Sequence, residues 1–321
     1  MPERSSSAVL VAAALLLGGT PAIGAGDAIG SSEESKPGPS QATTLPGISG
    51  LAPLGPGMAL AVHDATSPDE DDRPRASVMT LTDSPAGVTW QPLRFEWPGD
   101  AGPASDLESA SGIPGSSLVL LGESGDDGSG FGRLFLVDID IAAAAGPTAT
   151  IAGVTEWPKP VFNVEAIAVG EAGGELVLVY AERAQGEPVT VIEAAPLTLD
   201  PFEIGEPVGV EFTSPAVLSQ NDRPVSAMEI GSAGIIHVAS AYDTGDGAGP
   251  FSGSVWAIGA LVGGDDGPRV ELMPDPAIVA FADGFKIESL AVLERADGST
   301  ALFLGTDDED YGGVLRPLPT Q

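Results

Sequence analysis

The chain has 321 residues and carries 46 acidic against 13 basic side chains, for a formal net charge of −33. A field of that sign repels a nucleic-acid phosphate backbone, so the charge argues against nucleic-acid binding. The sequence contains no cysteine, which excludes disulfides and thiolate metal sites.

The N-terminal residues have the pattern of an export signal. An apolar stretch at 8–17 follows Arg4, and small residues at 22–26 offer cleavage positions. The apolar stretch is too short to span a membrane comfortably. We therefore predict a signal peptide at 1–26, a flexible leader at 27–46 and a secreted or periplasmic mature protein.

From residue 48 onward a unit of about sixty residues occurs five times. Each unit starts with a short apolar run, and further apolar runs follow it between acidic or glycine-rich loops. Four short strands per unit, none able to bury both faces alone, predict an all-β, five-bladed β-propeller. We place this single closed domain at 47–321, with blades starting near residues 48, 107, 164, 225 and 287.

The fifth unit shows only three apolar runs before the chain ends. We therefore expect residues near Gln41 to Leu45 to supply its outer strand and close the ring. Closure of this kind would remove two exposed sheet edges.

In a propeller the first strand of each blade lines the central channel, so matching positions form a ring around the axis. Those positions hold Ser49, Glu108, Glu165, Ser226 and Glu288. Three converging glutamates repel one another unless a hard cation such as Ca²⁺ lies between them. We interpret the ring as a candidate axial calcium site. The alternative is that some of these side chains only bond backbone groups where the strands start.

The second strand of each blade returns to the same face, so its end contributes to a mouth over the ring. Three residues there are candidate general bases, namely His63, Asp64 and Asp243. The other rim candidates for contact with a substrate are Glu123, Glu182, Arg183, Asp307 and Asp308. A solvated acidic rim is the alternative interpretation. His237 lies within an apolar strand and is predicted to be a packed core histidine.

The order Ser, Glu, Glu, Ser, Glu across the five blade starts resembles the calcium-activated nucleotidases (apyrases). That resemblance implies a Ca²⁺ in the central tunnel, with Glu108, Glu165 and Glu288 as side-chain ligands and Ser49 and Ser226 as further oxygens. It also implies hydrolysis of nucleoside di- and triphosphates at the mouth. The segments at 106–110 and 306–313 are similar to bacterial phytase-like or esterase-like propellers.

Two functions follow as hypotheses. The first is a calcium-dependent hydrolase of phosphate esters or anhydrides, in which Arg73, Arg75, Arg183 and Arg223 are the cations placed to meet phosphate. The second is a monomeric, non-catalytic propeller that binds a ligand or protein and in which calcium is structural. Glycoside hydrolysis is disfavoured, because sugar platforms require aromatic residues and these make up only 5% of the chain.

Overall fold

The computed structural model describes residues 45–64, 74–82, 87–125, 132–217, 219–245, 247–265 and 267–318. Twenty-one strands and two short 3₁₀ turns, at Ser232–Gly234 and Glu309–Tyr311, make up its regular structure. No helix in the described part is both long enough and apolar enough to cross a membrane. The predicted signal peptide, Arg73 and the predicted leader apart from Leu45 and Pro46 lie outside the described residues.

The strands form five separate sheets in chain order, which confirms the predicted five-bladed propeller. Blade one consists of β1 (Gly50–Gly55), β2 (Met58–Val62), β3 (Ala76–Leu81) and β4 (Val88–Pro92). Blade two consists of β5 (Arg94–Glu96), β6 (Leu107–Gly112), β7 (Val119–Glu123), β8 (Arg133–Asp140) and β9 (Thr148–Glu156). Blade three consists of β10 (Val164–Ala172), β11 (Glu175–Glu182), β12 (Val189–Leu199), β13 (Phe202–Ile204) and β14 (Val208–Thr213).

Blade four consists of β15 (Asp222–Ile230), β16 (Ile235–Tyr242), β17 (Ser252–Val262) and β18 (Arg269–Asp283). Blade five consists of β19 (Ile287–Glu294), β20 (Thr300–Thr306) and β21 (Leu315–Pro317). Neighbouring strands pair antiparallel except for β5, which pairs parallel with β9 at the outer edge of blade two. Each blade therefore runs from an inner strand to an outer one, and in blade two the inner strand is β6 while β5 is the outermost.

The hydrophobic core is divided among the interfaces between blades. Each of five buried clusters joins residues of two successive blades, for example Phe135 of blade two with Val62 of blade one. One of the five joins blade five to blade one through Phe303 and Met79. Because each sheet is covered by its neighbours on both faces, no blade buries its apolar residues alone.

Backbone hydrogen bonds also join the last blade to the first. The N–H of Ile48 donates to the carbonyl of Thr306 over 2.9 Å, and the N–H of Gly57 donates to the carbonyl of Glu294 over 2.8 Å. The N–H of Gly313 donates to the carbonyl of Leu45 over 2.7 Å. The segment that enters blade one thus lies along blade five. The expected closing strand near residues 41–45 lies outside the described residues, apart from Leu45.

Candidate metal centre at the mouth

Irregular pairing marks the start of the inner strand in four blades. The register shifts between Leu107 and Ser109, between Val164 and Ala166, and between Ile287 and Ser289. In each of these cases the residue left out of the pairing is a glutamate: Glu108, Glu165 or Glu288. A β-bulge re-aims the side chain of its extra residue. The repeat therefore presents three glutamates by the same local device.

The fourth irregularity, in β15, spans the residues between Arg223 and Ala227. It contains Pro224, which has no N–H to contribute to a strand ladder. The predicted ring member Ser226 lies in this irregular stretch and is fully buried. Its hydroxyl donates to the carbonyl of Ile287 over 2.7 Å. Ser226 therefore links the inner strands of blades four and five.

Three carboxylates on one side of the mouth form an acidic cluster. Asp64, Asp106 and Glu108 each offer an oxygen, and these oxygens all lie within 4.8 Å of one another, so the group could hold a metal ion. No lysine or arginine in the described residues forms an ion pair with any of the three. We refer to Asp64, Asp106 and Glu108 as the acidic triad.

Loss of hydration and repulsion by neighbouring carboxylates raise the pKa of two members of the acidic triad, Glu108 and Asp64. Loss of hydration raises the pKa of Glu108 well above 4.5, and the charges of Asp64, Glu165 and Asp106 raise it further. The pKa of Asp64 is also raised, first by loss of hydration and then by Asp106. A bound cation would remove this penalty, because an opposite charge nearby favours the ionised form.

The carboxylates on the other side of the mouth contact basic side chains. The guanidinium of Arg223 lies 2.5 Å from Oε1 of Glu288, 2.9 Å from Oδ2 of Asp243 and 3.6 Å from Oε2 of Glu165. Arg183 donates to Oε1 of Glu165 over 2.7 Å. We refer to these five residues together with Lys286 as the ion-pair network.

Lys286 is buried within this network. Its ammonium lies 3.1 Å from Oε1 of Glu288 and 3.7 Å from Oδ2 of Asp243, and it also pairs with Glu309. Burial alone would lower the pKa of Lys286, but the carboxylates around it outweigh burial and raise it. Lys286 therefore stays charged.

Burial raises the pKa of Glu165 to about 7, although Arg223 and Arg183 act against the rise. The pKa of Glu288 is raised to about 6 for the same reason, with Lys286 and Arg223 opposing. The second oxygen of Glu165 is buried and has no hydrogen-bond partner among the described residues. The ion-pair network thus compensates its carboxylates only in part.

Three members of the predicted ring line one narrow cavity near the axis, namely Ser49, Glu165 and Glu288. Its volume is about 10 Å³, which is room for roughly one water-sized particle. The hydroxyl of Ser49 is buried without a hydrogen-bond partner in the described part of the chain. The structure thus divides the predicted ring: Glu108 belongs to the acidic triad, whereas Glu165 and Glu288 belong to the ion-pair network.

Both ring nitrogens of the candidate base His63 are engaged. Nδ1 lies 2.5 Å from the carbonyl of Gly47, which can only accept, so Nδ1 carries the hydrogen. Burial lowers the pKa of His63 to about 4, so the ring is neutral near pH 7 and Nε2 accepts from the hydroxyl of Ser77 over 2.8 Å. Through these two hydrogen bonds His63 links the segment that precedes β1 with strand β3. His237 lies in β16 but is only half-buried, so it is not the packed core histidine expected from the sequence.

Several rim candidates already accept hydrogen bonds from neighbouring segments of the fold. Glu123 accepts from the backbone of Ser105 and from both the backbone and the guanidinium of Arg133. Glu182 accepts from the N–H of Phe162 over 2.9 Å. Asp308 accepts from the N–H of Lys286 over 2.7 Å and from the hydroxyl of Thr306 over 2.8 Å.

Asp307 accepts from the N–H of Glu309 over 3.2 Å, and burial raises its pKa. Asp64 differs from the other candidate bases, because its side chain is exposed at the mouth. Asp243 is buried beside Arg223, and its second oxygen accepts from the N–H of Gly245 over 2.8 Å. Asp64 is therefore the candidate base with access to solvent.

The sequence interpretation missed Asp106 and Lys286 as site residues. Both stand two positions before a ring glutamate, Asp106 before Glu108 and Lys286 before Glu288. Comparing that second position across the five units would have brought out both residues. The contrast between them gives the two sides of the mouth their different charge.

No protein family matches the chain, and no curated protein is similar to it. Among solved structures, endo-arabinase from Bacteroides thetaiotaomicron superposes with a TM-score of 0.47 at 12% identity, over 87% of this chain and 98% of that one. A levansucrase variant from Bacillus subtilis gives a TM-score of 0.42 at 12% identity, over 86% and 79%. The arabinanase of Bacillus subtilis gives 0.44 at 10% identity, over 85% and 93%.

None of these three structures is a calcium-activated nucleotidase or a phytase, so they lend no support to the resemblance drawn from the sequence. Likenesses at this level carry no argument about activity. The strands themselves show the architecture without these likenesses. It is an all-β, five-bladed propeller with an acidic cluster at its mouth.

Proposed function

We propose that this protein is an exported calcium-binding propeller, with Ca²⁺ held at the mouth by Asp64, Asp106 and Glu108. The observation that carries the proposal is the convergence of three carboxylate oxygens within 4.8 Å without an ion-pair partner among the described residues. Ca²⁺ takes six to eight oxygen ligands. Three carboxylates supply part of that shell, and water at the exposed carboxylate of Asp64 completes it.

The donor set favours a hard cation over a transition metal. Carboxylates are the only metal-binding side chains in the acidic triad, the chain has no cysteine, and it has two histidines. His63 is already bonded at both nitrogens, and His237 lies within β16. All-oxygen ligation suits Ca²⁺ and Mg²⁺, and the flexible coordination of Ca²⁺ suits an irregular set of three side chains.

The acidic triad is a better place for the ion than the axial cavity. Arg223, Lys286 and Arg183 already lie against Glu165 and Glu288. A further cation in the axial cavity would meet those positive charges, whereas no lysine or arginine of the described segments is paired with the acidic triad. The proposed ion therefore lies beside the ring predicted from the sequence and shares only Glu108 with it.

Isothermal titration calorimetry of metal-free protein with Ca²⁺ tests this proposal. We expect one site per chain with a dissociation constant of about 10⁻⁴–10⁻³ M, the range of extracellular calcium modules. Asp106→Asn and Glu108→Gln should each abolish the heat of binding. Glu271→Gln, at an exposed pair on β18, is the matched control and should bind as the parent does. Binding that survives both triad substitutions would refute the site.

Hydrolysis of a phosphate ester or anhydride is the second candidate function. It is favoured by Asp64, which is exposed beside the acidic triad and could orient a water, and by Arg183, whose side chain is 23% exposed. A metal in the triad would polarise the phosphoryl oxygen. His63 and Asp243 have no role in this scheme, because both are already bonded within the fold.

Phosphate release from a panel of nucleotides and phytate, with and without Ca²⁺, tests the second candidate. Calcium-dependent release that Glu108→Gln abolishes would establish the hydrolase. Release no greater than in the Glu108→Gln variant would leave the protein a non-catalytic, calcium-binding propeller. The calorimetric result decides the calcium site independently of this outcome.

A further inference from the structure

A cavity of about 550 Å³ lies on the face of blade four that packs toward blade three. Its blade-four lining comes from two rows of directly opposed residues. The first row crosses β15 to β18 as Asp222, Tyr242, Ser252 and Asp283, and the second crosses β16 to β18 as Ser240, Ser254 and Phe281. Opposed residues on neighbouring strands point to the same face of a sheet. The volume is within the range of small-ligand sites, about 300–1,000 Å³.

Three aromatic rings line this cavity: Tyr242, Trp256 and Phe281. The rings of Trp256 and Phe281 stand at 79° to one another with centroids 6.4 Å apart, so they form two walls of a corner. The indole N–H of Trp256 donates to the hydroxyl of Ser254 over 2.8 Å, which fixes that ring. The small side chains of Ser240 and Ser254 leave the floor of the corner open.

Phe281 is 76% exposed, in a chain that is only 5% aromatic. Burial of apolar surface therefore does not account for its position. Its one ring contact is with Trp256 among the described residues. The ring of Phe281 packs edge-to-face against the indole and leaves the rest of its surface exposed at the cavity, where a ligand could contact it.

The charges of the cavity are of one sign. Asp222 and Asp283 contribute carboxylates, and none of the described residues that line the cavity is a lysine, arginine or histidine. Asp283 is exposed at the end of β18, while Asp222 is buried at the start of β15. An anionic ligand would be repelled there, and a cation would be attracted both by these carboxylates and by the strongly negative chain.

We propose that this cavity binds a small organic cation with a methylated ammonium group. Such a group is attracted to the faces of aromatic rings and is recognised in proteins by cages of Trp, Tyr and Phe. Here Trp256, Phe281 and Tyr242 provide the rings, and Asp222 and Asp283 provide the balancing charge. The proposal is independent of the calcium site, because no residue of the acidic triad lines this cavity.

Calorimetric titration with choline and with 3,3-dimethyl-1-butanol, its uncharged isostere, tests the proposal. We expect choline to bind about three- to tenfold more tightly than the isostere, since only the cation gains from the ring faces and carboxylates. Equal affinities would show a merely apolar cleft and would overturn the proposal. Absence of choline binding at millimolar concentrations would overturn it as well.

Single substitutions test whether choline binds in this cavity. Phe281→Ala should weaken choline binding about threefold or more, and Asp283→Asn should weaken it by a similar factor. Both side chains are exposed, so neither change removes core packing. Phe162→Ala, at a ring that is 60% exposed outside the cavity, is the matched control and should bind choline as the parent does. Unchanged binding in Phe281→Ala would overturn the assignment.

The same ammonium chemistry occurs in free choline and in phosphatidylcholine headgroups. Co-sedimentation with phosphatidylcholine vesicles separates these sources, with phosphatidylglycerol vesicles as the control. Sedimentation with the first alone supports the site and assigns its ligand to a lipid surface. Choline binding without sedimentation supports the site and assigns it to a free metabolite. Sedimentation with both kinds of vesicle would contradict recognition of the ammonium group.

Discussion

Glu108 and Glu288 occupy matching bulged positions in blades two and five, yet they lie in opposite surroundings. Glu108 has Asp64 and Asp106 beside it, and its pKa is raised well above 4.5 by loss of hydration and by like charges. Glu288 has Arg223 and Lys286 within 3.1 Å. The same residue at the same point of the repeat thus has no counter-charge from the described residues in one half of the mouth and is partly compensated by two cations in the other.

The two halves of the mouth differ in charge because different residues stand two or three positions before the predicted ring residue of each blade. Blade two places Asp106 before Glu108, blade five places Lys286 before Glu288, and blade four places Arg223 before Ser226. The ion-pair network therefore provides its own cations, and its role is structural. The acidic triad has none from the described residues, so an external cation is the physical way to stabilise it.

The largest expected effect comes from breaking the ion-pair network at its centre. Arg223→Met removes the guanidinium shared by Glu288, Asp243 and Glu165, and leaves buried carboxylates uncompensated. We expect a loss of about 3–5 kcal/mol in the free energy of unfolding, measured by urea denaturation. Arg269→Met breaks an exposed pair with Glu271 and should cost less than about 1 kcal/mol. Equal losses in the two variants would contradict a structural role for the network.

Calcium should act on the other half of the mouth. At about one hundred times its dissociation constant, Ca²⁺ should raise the free energy of unfolding by about 2.7 kcal/mol, because it binds only the folded protein. Thermal unfolding with Ca²⁺ or with EGTA measures this. Asp106→Asn should remove the gain, whereas a stable variant of the network such as Arg183→Lys should retain it. An equal gain in Asp106→Asn would place the ion elsewhere.

Much of the fold could be predicted from sequence because a propeller repeats its pattern five times. Periodic apolar runs, interrupted by turns rich in glycine and acidic residues, fixed the number of blades and the starts of their inner strands. The position of the glutamates was predictable for the same reason. Their bulges were not, since a bulge depends on how two strands pair and not on the composition of either one.

The partners of the site residues could be predicted only in part. Ring symmetry assigns matching roles to Glu108, Glu165 and Glu288. The partners that distinguish them are different residue types at matching positions, such as Asp106 and Lys286. The two bonds of His63 illustrate the same limit: Gly47 lies 16 residues before it and Ser77 lies 14 residues after it, in a neighbouring strand. Contacts of this kind follow from three-dimensional packing. The sequence therefore predicted a general base at His63, whereas both of its ring nitrogens form hydrogen bonds within the fold.

Neutralising one glutamate in each half of the mouth, in calcium-free buffer, tests whether the two halves differ electrostatically. Glu108→Gln relieves repulsion and should raise the free energy of unfolding by about 1 kcal/mol. Glu288→Gln should raise it by less, because burial opposes the charge of Glu288 but the substitution also takes a partner from Arg223 and Lys286. Urea denaturation of both variants beside the parent gives the two changes. Equal gains in the two variants would show that the two halves are electrostatically alike.

A pH dependence of stability isolates Glu165. Its pKa is about 7 in the folded protein against an ordinary value of 4.5, so between these values the folded state binds more protons than the unfolded state. Stability relative to Glu165→Gln should therefore fall as pH rises from about 4.5 to about 7, by at most about 1.4 kcal/mol per unit.

His63 acts in the opposite direction, which is why the variant must serve as the reference. Its pKa is lowered from 6.5 to about 4, so the stability that neutral His63 contributes is lost as pH falls through that window. The parent and Glu165→Gln share this histidine, and its effect cancels in their difference. Urea denaturation of both proteins at several pH values in EGTA gives that difference. A difference that does not change with pH would mean that Arg183 and Arg223 offset burial and hold the pKa of Glu165 at its ordinary value, and that the ion-pair network is fully compensated.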